Sequence, residues 1–158
     1  MSLVGRTFVV EVTGLGYAGE GVGRLPQEAG EAAGKTCFIP GALPGERVRA
    51  TVTEEHRRHV NAVLESVELP SPDRVAPACP YFGVCGGCAL QHLDYRAQLF
   101  WKRQLVIDAL KHLGGFAEPP VQECVGMENP AGYRNKVQMP VAWGEAQGAP
   151  SLGFYQRG

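Results

Sequence analysis

Three cysteines lie between residues 79 and 88, and their spacing is the first chemical signal in this chain. Cys79, Cys85 and Cys88 form the pattern C-x5-C-x2-C. Thiolates are ligands for zinc and for iron–sulfur clusters. Gly86 and Gly87 separate the last two thiols, and glycine lets the backbone fold tightly and turn its amides toward sulfur. The spacing therefore predicts a metal or iron–sulfur site with these three ligands.

A closed site needs a fourth ligand, and the nearby sequence offers two candidates. His92 follows the third thiol in a C-x3-H spacing, which would complete a Cys3His zinc site. Cys124 is the second candidate, although its apolar neighbours favour a core position. A [4Fe-4S] cluster takes four thiolates, the last of them often far along the chain. The residues alone leave zinc and [4Fe-4S] open.

Composition narrows the class of protein without identifying a partner. The 158 residues carry 15 Lys and Arg against 16 Asp and Glu, a formal net charge of −1. Because the chain is not basic overall, any contact with RNA must rest on local clusters. The apolar runs are too short to span a membrane, and the start carries no secretory leader. We expect a cytoplasmic protein without a membrane partner; no feature indicates an oligomeric state.

Two local clusters combine cations with groups that can contact RNA. The first is a basic run flanked by histidines at a predicted turn, and the second combines an aromatic ring, two cations and an amide. Such side chains stack on bases and hold phosphates, although a solvated face is the alternative interpretation. The RNA-binding candidates are Arg57, Arg58, Tyr133, Arg134, Asn135 and Lys136.

The first half of the chain reads as a series of short strands. We predict strands over residues 7–12, 21–25, 35–39, 46–54 and 60–68, with Cys37 in the core. Five short strands without helical periodicity indicate a small closed barrel of the oligonucleotide-binding kind. Residues 14–19 match the dinucleotide fingerprint G-x-G-x-x-G, but further glycines and a proline follow where that motif needs a helix. A Rossmann domain is therefore not expected.

The second half is predicted to mix a helix with strands. Residues 69–78 contain three prolines and resemble an extended linker. A helix is predicted over 94–113, with Asp94 as its N-cap and an apolar stripe of Leu99, Val106, Leu110 and Leu113. Residues 133–143 and 151–156 are predicted to pair as a hairpin. The expected fold is mainly β with some α: an OB-like five-stranded barrel over residues 1–70, then an α+β cysteine-cluster segment over 71–158.

Taken together, these motifs resemble a known family. Residues 9–68, with their glycine-rich segment and the run 38–46, resemble a TRAM domain, an RNA-binding barrel. Residues 79–88, followed by Gln91 and His92, resemble the cluster motif of the RNA 5-methyluridine methyltransferases. The segments 133–136 and 153–155 resemble the next parts of the same enzymes. The resemblance covers nearly the whole chain.

The resemblance implies a [4Fe-4S] cluster on Cys79, Cys85 and Cys88, with the fourth cysteine beyond residue 158 and not at Cys124. It also implies that Gln91 is one of the RNA-binding residues. The implied partner is RNA, and 23S ribosomal RNA is favoured over transfer RNA. The S-adenosylmethionine-binding domain lies further on in that family, where a cysteine adds to C6 of uracil and makes C5 nucleophilic toward the methyl group.

On this interpretation the chain alone binds RNA without methylating it, because the catalytic and cofactor-binding domain lies outside it. Two other hypotheses remain open from the residues. One is a non-catalytic zinc-binding RNA module whose Cys3His site uses His92. The other is a small redox protein with a labile cluster.

Overall fold

The computed structural model describes residues 2–144 and 148–156. Its first part is a closed five-stranded barrel, which confirms the predicted fold class. The strands pair in the order β1-β2-β3-β5-β4, and β4 returns to pair with β1. Only the β3–β5 pair is parallel. The strands are β1 (Thr7–Leu15), β2 (Gly21–Arg24), β3 (Thr36–Ile39), β4 (Arg47–Glu55) and β5 (His59–Leu69), with a short 3-10 segment, Gln27–Ala32, between β2 and β3.

The barrel core follows the alternation of side chains along each strand. Phe8, Val10 and Val12 of β1 point inward and are almost fully buried, while the residues between them are exposed or half-buried. Cys37 and Ile39 of β3 are completely buried. The prediction that Cys37 is a core residue is therefore confirmed, and burial raises the pKa of its thiol to about 11.

The glycine-rich segment after β1 forms the tight turn that connects β1 to β2. Gly19 has a φ of +88°, and the N–H of Gly16 donates to the carbonyl of Glu20 at 2.7 Å. On β2, a Cβ at Gly23 would lie only 2.6 Å from the carbonyl oxygen of Glu11. The glycines therefore allow β2 to pack closely against β1, and no helix follows the G-x-G-x-x-G run, as expected.

The proline-rich segment after β5 is docked on the barrel, a contact that its prediction as an extended linker did not include. Glu46 has no exposed surface, and its carboxylate accepts hydrogen bonds from Arg74 Nε at 2.5 Å and Arg74 Nη2 at 2.8 Å. The backbone N–H groups of Leu43, at 2.8 Å, and Ser71, at 3.3 Å, donate to the same carboxylate. A charged group in the barrel wall is thus paired by a side chain from the following segment.

The Glu46–Arg74 pair also determines the charge state of the buried carboxyl group. Burial alone would raise the pKa of Glu46. The hydrogen bonds from Arg74, Leu43 and Ser71, together with the charge of Arg74, outweigh burial and hold that pKa below its usual value. Arg74 also donates to the carbonyl of Gly41 at 2.8 Å. The guanidinium therefore joins the docked segment to two places on the barrel.

The docked segment also forms backbone hydrogen bonds with the residues just before the helix. Val75 N–H donates to the carbonyl of His92 at 3.0 Å, and Asp94 N–H donates to that of Asp73 at 2.8 Å. Helix α1 spans Tyr95–His112, and the Asp94 side chain accepts from Arg96 N–H at 2.9 Å, so the predicted N-cap is confirmed.

The predicted apolar stripe of α1 does not form a buried face. Ala97 packs with the buried Leu15, Leu43 and Leu93, so only the first turns of the helix lie on the barrel. Further along, Val106 is 49% exposed; beyond the end of the helix, Leu113 is 89% exposed. The stripe extends past the surface that the barrel offers, because helical periodicity does not indicate how long the partner surface is.

The C-terminal hairpin is shorter than predicted. Strands β6 (Val141–Gly144) and β7 (Ala149–Leu152) pair antiparallel as a two-stranded sheet. Residues 133–140 and 153–156 lie outside these strands, so the predicted strands over 133–143 and 151–156 are only partly right. Part of the predicted hairpin loop, residues 145–147, falls outside the described residues. No helix in the described ranges is long and apolar enough to cross a membrane.

Replacing Arg74 by alanine should leave Glu46 buried and unpaired. Breaking a buried pair by removing one partner costs about 3–5 kcal/mol, so we expect a loss of this size in the free energy of unfolding. Urea denaturation followed by circular dichroism measures it. Arg47→Ala is the matched control, because Arg47 pairs with Glu68 at 3.2 Å on the exposed surface and should cost less than about 1 kcal/mol. Equal losses in the two variants would contradict the role of the buried pair.

Candidate functional site

The cysteine loop, residues 79–88, folds as a succession of tight turns. Phe82 N–H donates to the carbonyl of Cys79 at 3.1 Å, and Cys85 N–H donates to that of Tyr81 at 2.9 Å. Gly83 has a φ of +90°, a conformation that favours glycine. The thiols of Cys79 and Cys85 are half-buried, and that of Cys88 is exposed. The sequence between the cysteines thus keeps all three on one short, irregular loop.

Hydrogen-bond donors reach two of the three sulfur atoms. Gly87 N–H donates to Cys85 Sγ at 3.4 Å, and Gln91 Nε2 donates to Cys88 Sγ at 3.1 Å. The other end of the Gln91 amide accepts from Cys79 N–H at 3.2 Å. Gln91 therefore joins the first and last cysteines of the loop. The family resemblance placed Gln91 just after the cluster motif and implied an RNA-binding role for it, but did not imply this contact with the cysteines.

The donor set fits a thiolate-bound metal or cluster in chemical type. The three cysteines are free thiols, and N–H groups directed at sulfur stabilise the thiolate charge that such ligands carry. Across residues 2–144 and 148–156, however, no three His, Cys, Asp or Glu side chains are grouped closely enough to hold a metal ion.

The two nearby candidates for a fourth ligand lie in different surroundings. His92 is 2% exposed, and its ring packs against Phe82 with 4.9 Å between ring centroids. Cys124 is half-buried, in a stretch that runs beside α1. That stretch is held by Arg103 Nη2, which donates to the carbonyl of Val121 at 2.8 Å. Sequence analysis favoured a core position for Cys124, but it belongs to neither of the two core clusters of the described chain.

Two segments that are distant in sequence meet the cysteine loop. Cys85 forms an isolated antiparallel bridge with Gln156, and Gly86 N–H donates to the carbonyl of Tyr155 at 3.0 Å. From another segment, Arg134 Nη2 donates to the carbonyl of Gly87 at 3.5 Å. The structure therefore gathers the cysteine loop, Arg134 and the 153–156 segment, three motifs that the sequence analysis had named separately.

Exposed aromatic rings surround this meeting point. Tyr81 is 70% exposed, Tyr133 is 63% exposed and Tyr155 is 75% exposed. Asn135 and Lys136 are also exposed, in the irregular stretch before β6. Rings and cations with this exposure can stack on bases and contact phosphates. Tyr81 and Tyr155 are not among the predicted RNA-binding residues. Tyr81 lies within the cysteine motif, which could have indicated it, whereas Tyr155 reaches the loop only through the fold.

The remaining candidates, Arg57 and Arg58, lie elsewhere. They form the exposed turn between β4 and β5. The docked segment begins at the opposite end of this pair of strands, where Arg47 pairs with Leu69. Nine residues of strand span about 30 Å, so the structure does not bring these arginines to the cysteine loop.

The five thiols should differ sharply in reactivity. At neutral pH in metal-free protein, iodoacetamide should label the exposed Cys88 first and label Cys37 only after denaturation, because Cys37 is fully buried and its pKa is raised to about 11. Peptide mass spectrometry measures each site, and Cys88→Ser identifies the fast phase. Labelling of native Cys37 at the rate of Cys88 would contradict the described core.

Comparison with known proteins agrees with this architecture. Residues 1–64 match the TRAM domain family. The chain is 41% identical to a Clostridium tetani protein over 94% of this chain and 30% of that protein. It is 38% identical to one from Gloeobacter violaceus over 98% of this chain and 32% of that protein. A Bacillus cereus protein is 45% identical over 87% of this chain and 29% of its own length.

Each of the three carries the name uncharacterized RNA methyltransferase. This chain spans about 30% of their length. The first 64 residues are therefore a TRAM domain, and the chain as a whole is a relative of proteins named RNA methyltransferases.

Proposed function

We propose that this chain is the RNA-binding and cluster-bearing part of an S-adenosylmethionine-dependent RNA methyltransferase that modifies C5 of a uridine in 23S ribosomal RNA in the cytoplasm. The observation that carries the proposal is the similarity of almost the whole chain, cysteine loop included, to proteins named RNA methyltransferases. The S-adenosylmethionine site and the nucleophile that activates uracil belong, in this proposal, to the part of the relatives' length that the chain does not span.

The cysteine loop would hold a [4Fe-4S] cluster through Cys79, Cys85 and Cys88. The contacts of Tyr155 and Gln156 with the loop support a fourth thiolate from residues that follow them, because the backbone there already lies against Cys85. A bound cluster would supply a rigid cross-link between chain segments. Electron transfer is not required of it, since transfer of a methyl cation to an activated uracil carbon changes no oxidation state in the protein.

The chain's own contribution would be to hold the RNA. Arg134 lies at the cysteine loop, and its guanidinium carbon is 6.0 Å from the centroid of the exposed Tyr133 ring. The exposed Tyr155 belongs to the segment whose backbone meets Gly86, and such rings and cations suit a phosphate and its neighbouring bases. An enzyme that acts on a base must first take it out of the stack, so surfaces that grip the flanking nucleotides help to offset the cost of unstacking. Asn135, Lys136 and Gln91 extend the same surface.

Iron and sulfide content tests the cluster. The chain reconstituted anaerobically with ferric iron, sulfide and a small thiol, which serves as the reductant and as the exogenous fourth ligand, should turn brown and bind about four irons and four sulfides. Cys79→Ser, Cys85→Ser and Cys88→Ser should each lower the iron content, whereas Cys124→Ser should not. If the purified chain instead contains stoichiometric zinc and no sulfide, and His92→Ala releases that zinc, the Cys3His zinc site is correct and the cluster assignment is wrong.

RNA binding tests the second part of the proposal. The chain should bind single-stranded RNA in fluorescence anisotropy, without transferring a methyl group from S-adenosylmethionine. Arg134→Ala should weaken binding and lower the slope of log K against log salt by about 1, as expected for the loss of one phosphate contact. Arg47→Ala is the control, since Arg47 is paired with Glu68. A salt-independent affinity in the unmodified chain would overturn the proposed RNA contact.

A further inference from the structure

Three aromatic rings contact one another in a row on the outer face of the barrel, and the outer two of them are stacked. Phe38 projects outward from β3, and its ring meets that of His59 edge to face with 5.4 Å between centroids. The His59 ring in turn lies against that of His56, with centroids 4.4 Å apart and an angle of 24° between the ring planes. We call Phe38, His59 and His56 the ring stack. Its outermost member, His56, has 48% of its side chain exposed.

The backbone holds the ring stack in place. Thr36 of β3 is the parallel partner of His59, and Phe38 is the partner of Asn61, so Phe38 and His59 lie on neighbouring strands of one surface. The N–H of His56 donates to the carbonyl of His59 at 2.9 Å, closing a tight turn that sets the two imidazoles side by side. The rings are therefore pre-positioned by the sheet, and a ligand would bind them without first ordering a loop.

The turn between His56 and His59 carries two arginines that have no partner in the described part of the chain. Arg57 and Arg58 are exposed and, within the described residues, make neither a hydrogen bond nor an ion pair. The other arginines of the barrel do have partners. Arg6 donates to the carbonyl of Glu28, Arg24 donates to Gly34 and Thr36, and Arg47 and Arg49 pair with Glu68.

The carboxylates closest to the turn are already engaged. Glu54 accepts from Asn61 Nδ2 at 2.8 Å and lies 3.4 Å from His56 Nε2. Glu55 accepts from Lys35 Nζ at 2.9 Å and from Leu3 N–H at 3.0 Å. Glu54 keeps its charge, since the Asn61 amide is neutral, but in the described structure neither carboxylate forms an ion pair with Arg57 or Arg58. Both guanidinium groups lie on the exposed turn beside a half-exposed ring, where an external anion can bind them.

We propose that the ring stack is a base-stacking subsite for single-stranded RNA, in which a nucleobase extends the stack on His56 while Arg57 and Arg58 bind the adjoining phosphates. The proposal rests on the proposed RNA-binding function and places a second contact away from the cysteine loop. Only an unstacked base can lie on the ring, because bases in a duplex are already stacked on each other. A peptide carboxylate would use the arginines but would leave the ring stack without a role.

Binding of the full chain to a short, fluorescently labelled oligouridine tests this subsite. His56→Ala should weaken binding about tenfold, in the range measured for the loss of one stacked base. His56→Phe should restore most of the affinity, because the ring remains although its nitrogens are lost. Arg57→Ala with Arg58→Ala should weaken binding and flatten the salt dependence. Arg49→Ala is the control on the same barrel. Circular dichroism melts verify that each variant is folded.

The possible outcomes separate the two proposals. If the unmodified chain binds no RNA, the proposed function fails. If it binds RNA and His56→Ala binds equally well, the ring stack is not a subsite, while the proposed function stands. Equal weakening by His56→Phe and His56→Ala would also overturn stacking, because it would assign the effect to the imidazole nitrogens. Equal affinity for an RNA duplex of the same length would overturn the requirement for an unstacked base.

Discussion

Glu46 lies fully buried in the wall of the barrel, and its carboxylate accepts two hydrogen bonds from the guanidinium of Arg74. A buried charge is tolerated only when it is paired and hydrogen-bonded. Its charged partner belongs to the segment that follows the last barrel strand, so that segment must fold back onto the barrel. Through Val75 and Asp94 the same segment fixes the chain just before α1. The cysteine loop, which lies between Val75 and Asp94, is thereby anchored at both of its ends.

The barrel itself could be predicted because its determinants are local. Inward-facing residues such as Val10 and Val12 alternate with outward-facing ones, and Gly21 and Gly23 of β2 appear where this strand must approach β1 closely. The docked segment could not be predicted in this way. Its prolines indicated an extended linker. The group that holds it, Glu46, lies before β4, and nothing in the sequence distinguishes it from a surface glutamate. Which charged residue is buried depends on the closed barrel and cannot be read from the sequence.

The candidate site, like the fold, could be predicted from the sequence only in part. The type and spacing of Cys79, Cys85 and Cys88 predict ligands without any structure, although their cluster stays a prediction. What the sequence did not show is the set of contacts between elements: the amide of Gln91 that joins two cysteines, and the arrival of Arg134 and Tyr155 at the loop. Each depends on the path of the chain between motifs. Periodicity describes one element at a time and therefore does not contain that information.

Pairing also explains how a chain with a net charge of −1 can present cationic sites. Net charge counts every arginine equally, but the described structure pairs Arg47 with Glu11 and Glu68, Arg49 with Glu68, and Arg74 with the buried Glu46. These cations are neutralised at short range and add little to the field that a phosphate would experience. Arg57 and Arg58 are different, because the neighbouring carboxylates are engaged by other groups. If the chain binds RNA as proposed, the sites for phosphate depend on which cations the fold leaves unpaired, and overall composition does not determine them.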